Sequence, residues 1–238
     1  MDTLLILSVF VLAGLVKGFS GLGLPTIALA LLGLMVAPGE AAALVAVPAF
    51  LTNLWQALRG GGLVVLLARL WPMLLGVGLG TALGGAWRPD PDLARLVLAE
   101  ALMLYAMLGL LEVVPSLPAG GERWLGAGAG VLTGVLTAVT GVFVLPAVPF
   151  LQALRLPPGR LVQALGLSFT VSSAALGVLL ASHGALALPQ LGLSLAATLP
   201  ALAGMALGAR LRPFVAPAHF RRGVFCFLFA IAVSLLIG

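Results

Sequence analysis

Residues 14–25 read GLVKGFSGLGLP and residues 134–146 read GVLTAVTGVFVLP. Each stretch is an apolar run broken by Gly, Ser or Thr, and Pro. The match extends outward from these breaks at a constant offset of 120. Gly14 falls on Gly134, Ser20-Gly21 on Thr140-Gly141, Pro38-Gly39 on Pro158-Gly159, and Thr52-Asn53 on Ser172-Ser173. After an eight-residue slip it resumes, with Pro72, Gly76, Gly80 and Pro89 on Pro200, Gly204, Gly208 and Pro217. A duplicated apolar chain interrupted at corresponding points is the pattern of transporters whose site lies between related halves.

Composition places those halves in lipid. The chain is 62% hydrophobic and 8% charged, against about 45–50% and 25% in soluble domains. The net charge of +5 comes from Arg between apolar stretches, which suits membrane orientation and anionic headgroups. It does not form the basic surface of a nucleic-acid binder. Cys226 is the single cysteine, so neither an intrachain disulfide nor a thiolate metal cluster is expected. Residues 1–10 lack the basic start and cleavage site of a signal peptide and read as the beginning of the first membrane segment.

Apolar runs between breakers predict helices over 3–20, 24–36, 41–58, 63–86 and 93–114, then 124–140, 142–154, 161–181, 187–209 and 219–238. Leu111–Arg123, rich in Pro and Gly, is the one candidate linker, dividing the chain into 1–116 and 117–238. The second segment of each half is too short for a hydrocarbon core of about 30 Å. The expected fold is therefore an all-α integral membrane protein of two inverted repeats. Each repeat has a broken or re-entrant hairpin and three membrane-spanning helices. Irregular backbone at membrane depth must be buried or line a wet cavity, so the two hairpin tips are expected to meet near the midplane.

Charge supports the inversion. With an odd number of crossings per half, one side carries Arg59, Arg69, Arg123, Arg155, Arg160, Arg210, Arg212, Arg221 and Arg222. The other carries Arg88 and Arg95 among Glu40, Asp90 and Asp92. The positive-inside bias makes the first side cytoplasmic and both termini extracytoplasmic.

Lys17 is the sole lysine and sits deep in the first segment, where a cation is costly and marks an anion path. Half-helices starting at the breaks would aim N–H groups inward, a ready anion site. Ser20, Gly21, Thr137, Thr140 and Gly141 are therefore candidate substrate contacts. Thr52 and Asn53, with Ser168 and Ser172, would complete the cavity wall. Packing through small residues and interhelical hydrogen bonds are the competing roles. Glu100, an intramembrane carboxyl, is the candidate for proton coupling. His183 and His219 have no metal-ligand spacing, and no converging nucleophile or metal set suggests an enzyme. No cofactor is expected.

The break in Leu15–Pro25 and the run 140–146 (TGVFVLP), followed by 163–170 (QALGLSFT), resemble the TauE/SafE sulfite-exporter family over nearly the whole chain. The resemblance implies a bacterial inner-membrane permease for sulfite, organosulfonates or related small sulfur-containing anions. Sequence leaves open an anion channel, another small anion, the direction of transport, proton coupling and a homodimer.

Overall fold

The computed structural model describes residues 3–21, 23–87, 90–118, 120–186 and 188–237. Leu22, Arg88 and Pro89, used in the sequence argument, lie outside them. The described residues form α1 (Thr3–Ser20), α2 (Leu24–Gly33), α3 (Pro38–Leu58), α4 (Leu63–Ala86), α5 (Pro91–Leu110), α6 (Glu122–Thr140), α7 (Ala147–Ala153), α8 (Pro158–Ser182), α9 (Leu188–Leu211) and α10 (Pro217–Ile237). Seven of them, α1, α3, α4, α5, α8, α9 and α10, are long and apolar enough to cross a membrane. The all-helical membrane architecture read from sequence holds.

Several predicted starts moved outward by two to three residues, for one reason. Pro38, Pro91, Pro158 and Pro217 open helices instead of preceding them. Proline at the first helical position loses no hydrogen bond, because that N–H has no intrahelical partner. Asp90 caps α5 by accepting from Leu93 N–H at 2.8 Å. The short helix of the second half is seven residues, Ala147–Ala153, because 141–146 runs as irregular chain.

Helix directions follow from glycine contacts. A Cβ on Gly14 would strike the Ala201 carbonyl, and one on Gly18 the Met205 carbonyl. Gly204 and Gly208 stand over the carbonyls of Val11 and Leu15. Numbers rise together, so α1 and α9 run parallel with backbones touching, as small residues permit in lipid. α4 and α6 do the same, with Gly130 over Met73, Gly134 over Val77, and Gly80 over Val131.

These contacts correct the register of the duplication. Gly80 stands on Val131 as Gly204 stands on Val11, and Gly84 packs on Val135 as Gly208 packs on Leu15. Gly204 therefore corresponds to Gly80, not Gly76. A glycine every fourth residue makes a one-turn shift nearly invisible in sequence, and packing resolves it.

α4 and α8 also run alike: Gly62 abuts Arg160 at one end and Gly85 abuts Leu179 at the other. Since α4 returns from α3 through 59–62, α3 and α8 are antiparallel. Their joined ends are clasped reciprocally. Gln56 Nε2 donates to Val162 O at 2.7 Å and Gln163 Nε2 to Ala57 O at 2.9 Å. α5 and α10 are antiparallel too, with Glu112 paired to Arg221 at one end and Leu98 and Leu235 meeting at Gly33.

Pro48 lies inside α3 and cannot donate to Leu44 O, which would be left bare in the core. Ser194 of α9 fills the gap: its hydroxyl donates to Leu44 O at 2.8 Å. A broken helical bond is thereby exchanged for an interhelical one.

Candidate anion site at the seam of two antiparallel helices

Lys17 lies in the last turn of α1 and is only 3% exposed. Its ammonium donates to Asn53 Oδ1, on the C-terminal half of α3. Among the described residues no acid pairs with it. Asn53 is fully buried, and its Nδ2 has no partner among the described residues. The Ser168 and Ser172 hydroxyls, both at 0% exposure, are also without partners among the described residues, as is Gln163 Oε1.

These groups share a level. The clasp sets Ala57 beside Gln163 and Gly166, so antiparallel chains bring Thr52 and Asn53 level with 167–171, which holds Ser168 and ends one residue short of Ser172. Thr52 differs in that its hydroxyl is committed to Pro48 O at 2.7 Å. The α3/α8 pair thus carries, at about one level, an ammonium-bound amide with an unpartnered N–H₂ and two buried hydroxyls without a hydrogen-bond partner among the described residues. An orphaned buried polar group costs about 1–3 kcal/mol, so several together on one seam need a reason.

The hairpin tips match each other locally. Gly21 has φ +77° and Gly141 φ +75°. Gly21 N–H bonds Lys17 O at 2.7 Å and Gly141 N–H bonds Thr137 O at 2.8 Å. Only glycine takes this left-handed helix-ending conformation without strain.

The tips do not meet, which overturns the expectation of convergence at the midplane. Gly21 packs on Val162, beside Gln56 at the C-terminal end of α3, whereas Gly141 packs on Ala42 near its start. That stretch of α3 rises about 21 Å at 1.5 Å per residue. Each parent helix carries its tip to a different end of the α3/α8 pair.

Nor are the tip hydroxyls free for a ligand. Thr137 Oγ1 donates to Thr133 O and Thr140 Oγ1 to Leu136 O, both at 2.7 Å. Thr140 also accepts from Val142 N–H at 3.1 Å. Val142, Phe143, Val144 and Leu145 fill the second tip and are buried. Ser20 donates to Val16 O at 2.8 Å and lines a separate cavity. Glu100 stands exposed halfway along α5.

In sequence Gln163 has Ala43 as its counterpart, so any role is expected to be asymmetric, and the duplication gives no sign of its bond to Ala57 O. It also gave no sign of Ser194 as the partner of Leu44. The proline inside α3 was the available signal, since it implies a bare carbonyl four residues earlier.

The family model described as "Sulfite exporter TauE/SafE" matches residues 6–235. No curated protein and no solved structure matches the chain.

Proposed function

The chain belongs to the sulfite exporter TauE/SafE family, and on that premise we propose that it is a secondary transporter of small sulfur-containing anions, sulfite or an organosulfonate. It works by alternating access in a bacterial inner membrane. The observation that carries the reading is the buried Lys17 ammonium, bonded to a neutral amide and facing no acid among the described residues. A cation at membrane depth costs about 2.5–3.5 kcal/mol on insertion scales. An anionic cargo would supply the missing countercharge. Its oxygens would also accept from Asn53 Nδ2, Ser168 and Ser172.

In this reading Ser20, Gly21, Thr137, Thr140 and Gly141 end the broken helices and position α1 and α6, while Thr52 shapes the wall beside Asn53. Glu100 takes no part, so any coupled proton uses another carrier.

Inverted repeats are supported by direction. α3 opposes its counterpart α8, and the parallel pair α1·α9 answers the parallel pair α6·α4. The end with Arg59, Arg69, Arg123, Arg155, Arg160, Arg210, Arg212, Arg221 and Arg222 would face the cytoplasm and both termini the outside. Rocking of the two glycine-faced helix pairs would expose the seam to either side in turn.

The test is flux into proteoliposomes of labelled sulfite, thiosulfate and short sulfonates, with and without a pH gradient. Saturable flux with counterflow is expected. Failure of every sulfur anion to move would end the reading, and flux that never saturates would replace it with a channel.

A further inference from the structure

A cavity of about 340 Å³ opens on a different face of α1 from the one that carries Lys17. Val16, Phe19 and Ser20 face it, while Lys17, between them in sequence, turns to Asn53; neither Lys17 nor Asn53 lines it. Its floor is apolar and buried: Val16, Ile27, Val148 and Leu228 are each 7% exposed or less. Phe220, stacked on Phe19 at 3.7 Å between ring centroids, and Phe225 add aromatic wall.

Two features point to a ligand. Tyr105 lines the cavity at 6% exposure, and its hydroxyl has no hydrogen-bond partner among the described residues. At the rim Arg221 is held by Glu112, whereas Arg212 is exposed and has no acid partner among the described residues. The rim thus offers one uncommitted guanidinium above a largely apolar chamber whose wall carries the Tyr105 hydroxyl together with Ser20 and Gln152.

Volume decides the class of ligand. A four-atom oxyanion would occupy only a small part of this space and leave the apolar wall in contact with water. A body of roughly two fused rings fills it, within the range of small-molecule pockets.

We infer that this cavity is a second ligand site, separate from the seam, for an amphipathic organic monoanion with a flat apolar body. The anionic head sits at Arg212, the body lies against Phe19, Phe220 and Phe225, and the Tyr105 hydroxyl reaches an acceptor on the body. Because α1 forms one wall and also carries Lys17, occupancy restrains the turn that presents Lys17 to Asn53. The site is therefore placed to regulate transport. It goes beyond the proposed function and does not depend on the identity of the cargo.

The probe is 6-hydroxynaphthalene-2-sulfonate, titrated calorimetrically against the full chain in zwitterionic nanodiscs. Binding is expected to weaken tenfold or more in Arg212→Gln, a surface change that leaves packing intact. Val224→Trp, which fills the chamber, should abolish it, and Tyr105→Phe should weaken it several-fold. Lys17→Met should retain it. Absence of binding, indifference to Arg212→Gln, or loss in Lys17→Met would overturn the inference. So would displacement by phosphatidylglycerol added to the nanodiscs, which would make the chamber a lipid site. If these results hold while no sulfur anion is transported, the proposed function fails and this site stands.

Discussion

The Lys17 ammonium is bonded to Asn53 Oδ1, tying the last turn of α1 to the C-terminal half of α3. The two halves of this contact are unequal. Asn53 without Lys17 is a neutral amide in the core, whereas Lys17 without Asn53 is a bare buried cation. Lys17→Met should therefore melt close to the parent protein, while Asn53→Leu should be less stable by about 2 kcal/mol or more. Joining the two changes should restore stability. Both single variants should lose sulfite flux at least tenfold. Thermal unfolding in detergent with a flux assay reads both arms. Equal melting of the two single variants would mean that the contact is not formed.

Ser168 and Ser172 are predicted to oppose stability to function. Removing an unsatisfied buried hydroxyl relieves about 1–3 kcal/mol of desolvation, offset by the small hole left behind. Ser168→Ala and Ser172→Ala should thus be neutral to slightly stabilising and still weaken anion-dependent thermal protection, which follows from mass action on the folded state. A clear destabilisation would show that these hydroxyls already have partners.

The Ser194 hydroxyl stands in for the hydrogen bond that Pro48 cannot make. Ser194→Val should cost about 1–3 kcal/mol by baring Leu44 O. Pro48→Ala should recover much of that loss in the double variant, because alanine, unlike proline, carries the missing N–H. An additive cycle would break the link between the two positions.

Gly80 and Gly204 let carbonyls approach where any side chain would collide with backbone. Gly80→Leu and Gly204→Leu should each separate a helix pair and give aggregated protein on size exclusion. Gly78→Leu, with nothing within 4 Å of its Cβ direction, should remain monodisperse. Similar behaviour of all three would show that backbone contact does not hold these pairs together.

Orientation is open to labelling. Arg155→Cys in a Cys226→Ser background should react with a membrane-impermeant maleimide only after the cells are opened, and Glu40→Cys should react in intact cells. The reverse pattern would invert the assigned topology.

The sequence alone determined the lipid environment, the ten segments and the duplication. Hydropathy, proline and glycine act locally, so their signals survive in a linear string. It also singled out Lys17, Asn53, Ser168 and Ser172, because polar atoms are conspicuous in an apolar chain. Which of them come together was decided by tertiary structure. α3 and α8 run oppositely, and this brings Asn53 level with Ser168 while carrying Gly21 and Gly141 apart. Thr137 and Thr140 looked equivalent to the seam hydroxyls as letters, yet each spends its proton on its own helix. The register of α4 against α9 was likewise beyond the string, since a repeat of glycines one turn apart matches itself when shifted by one turn. Local chemistry fixes what a segment is; only packing fixes what it faces.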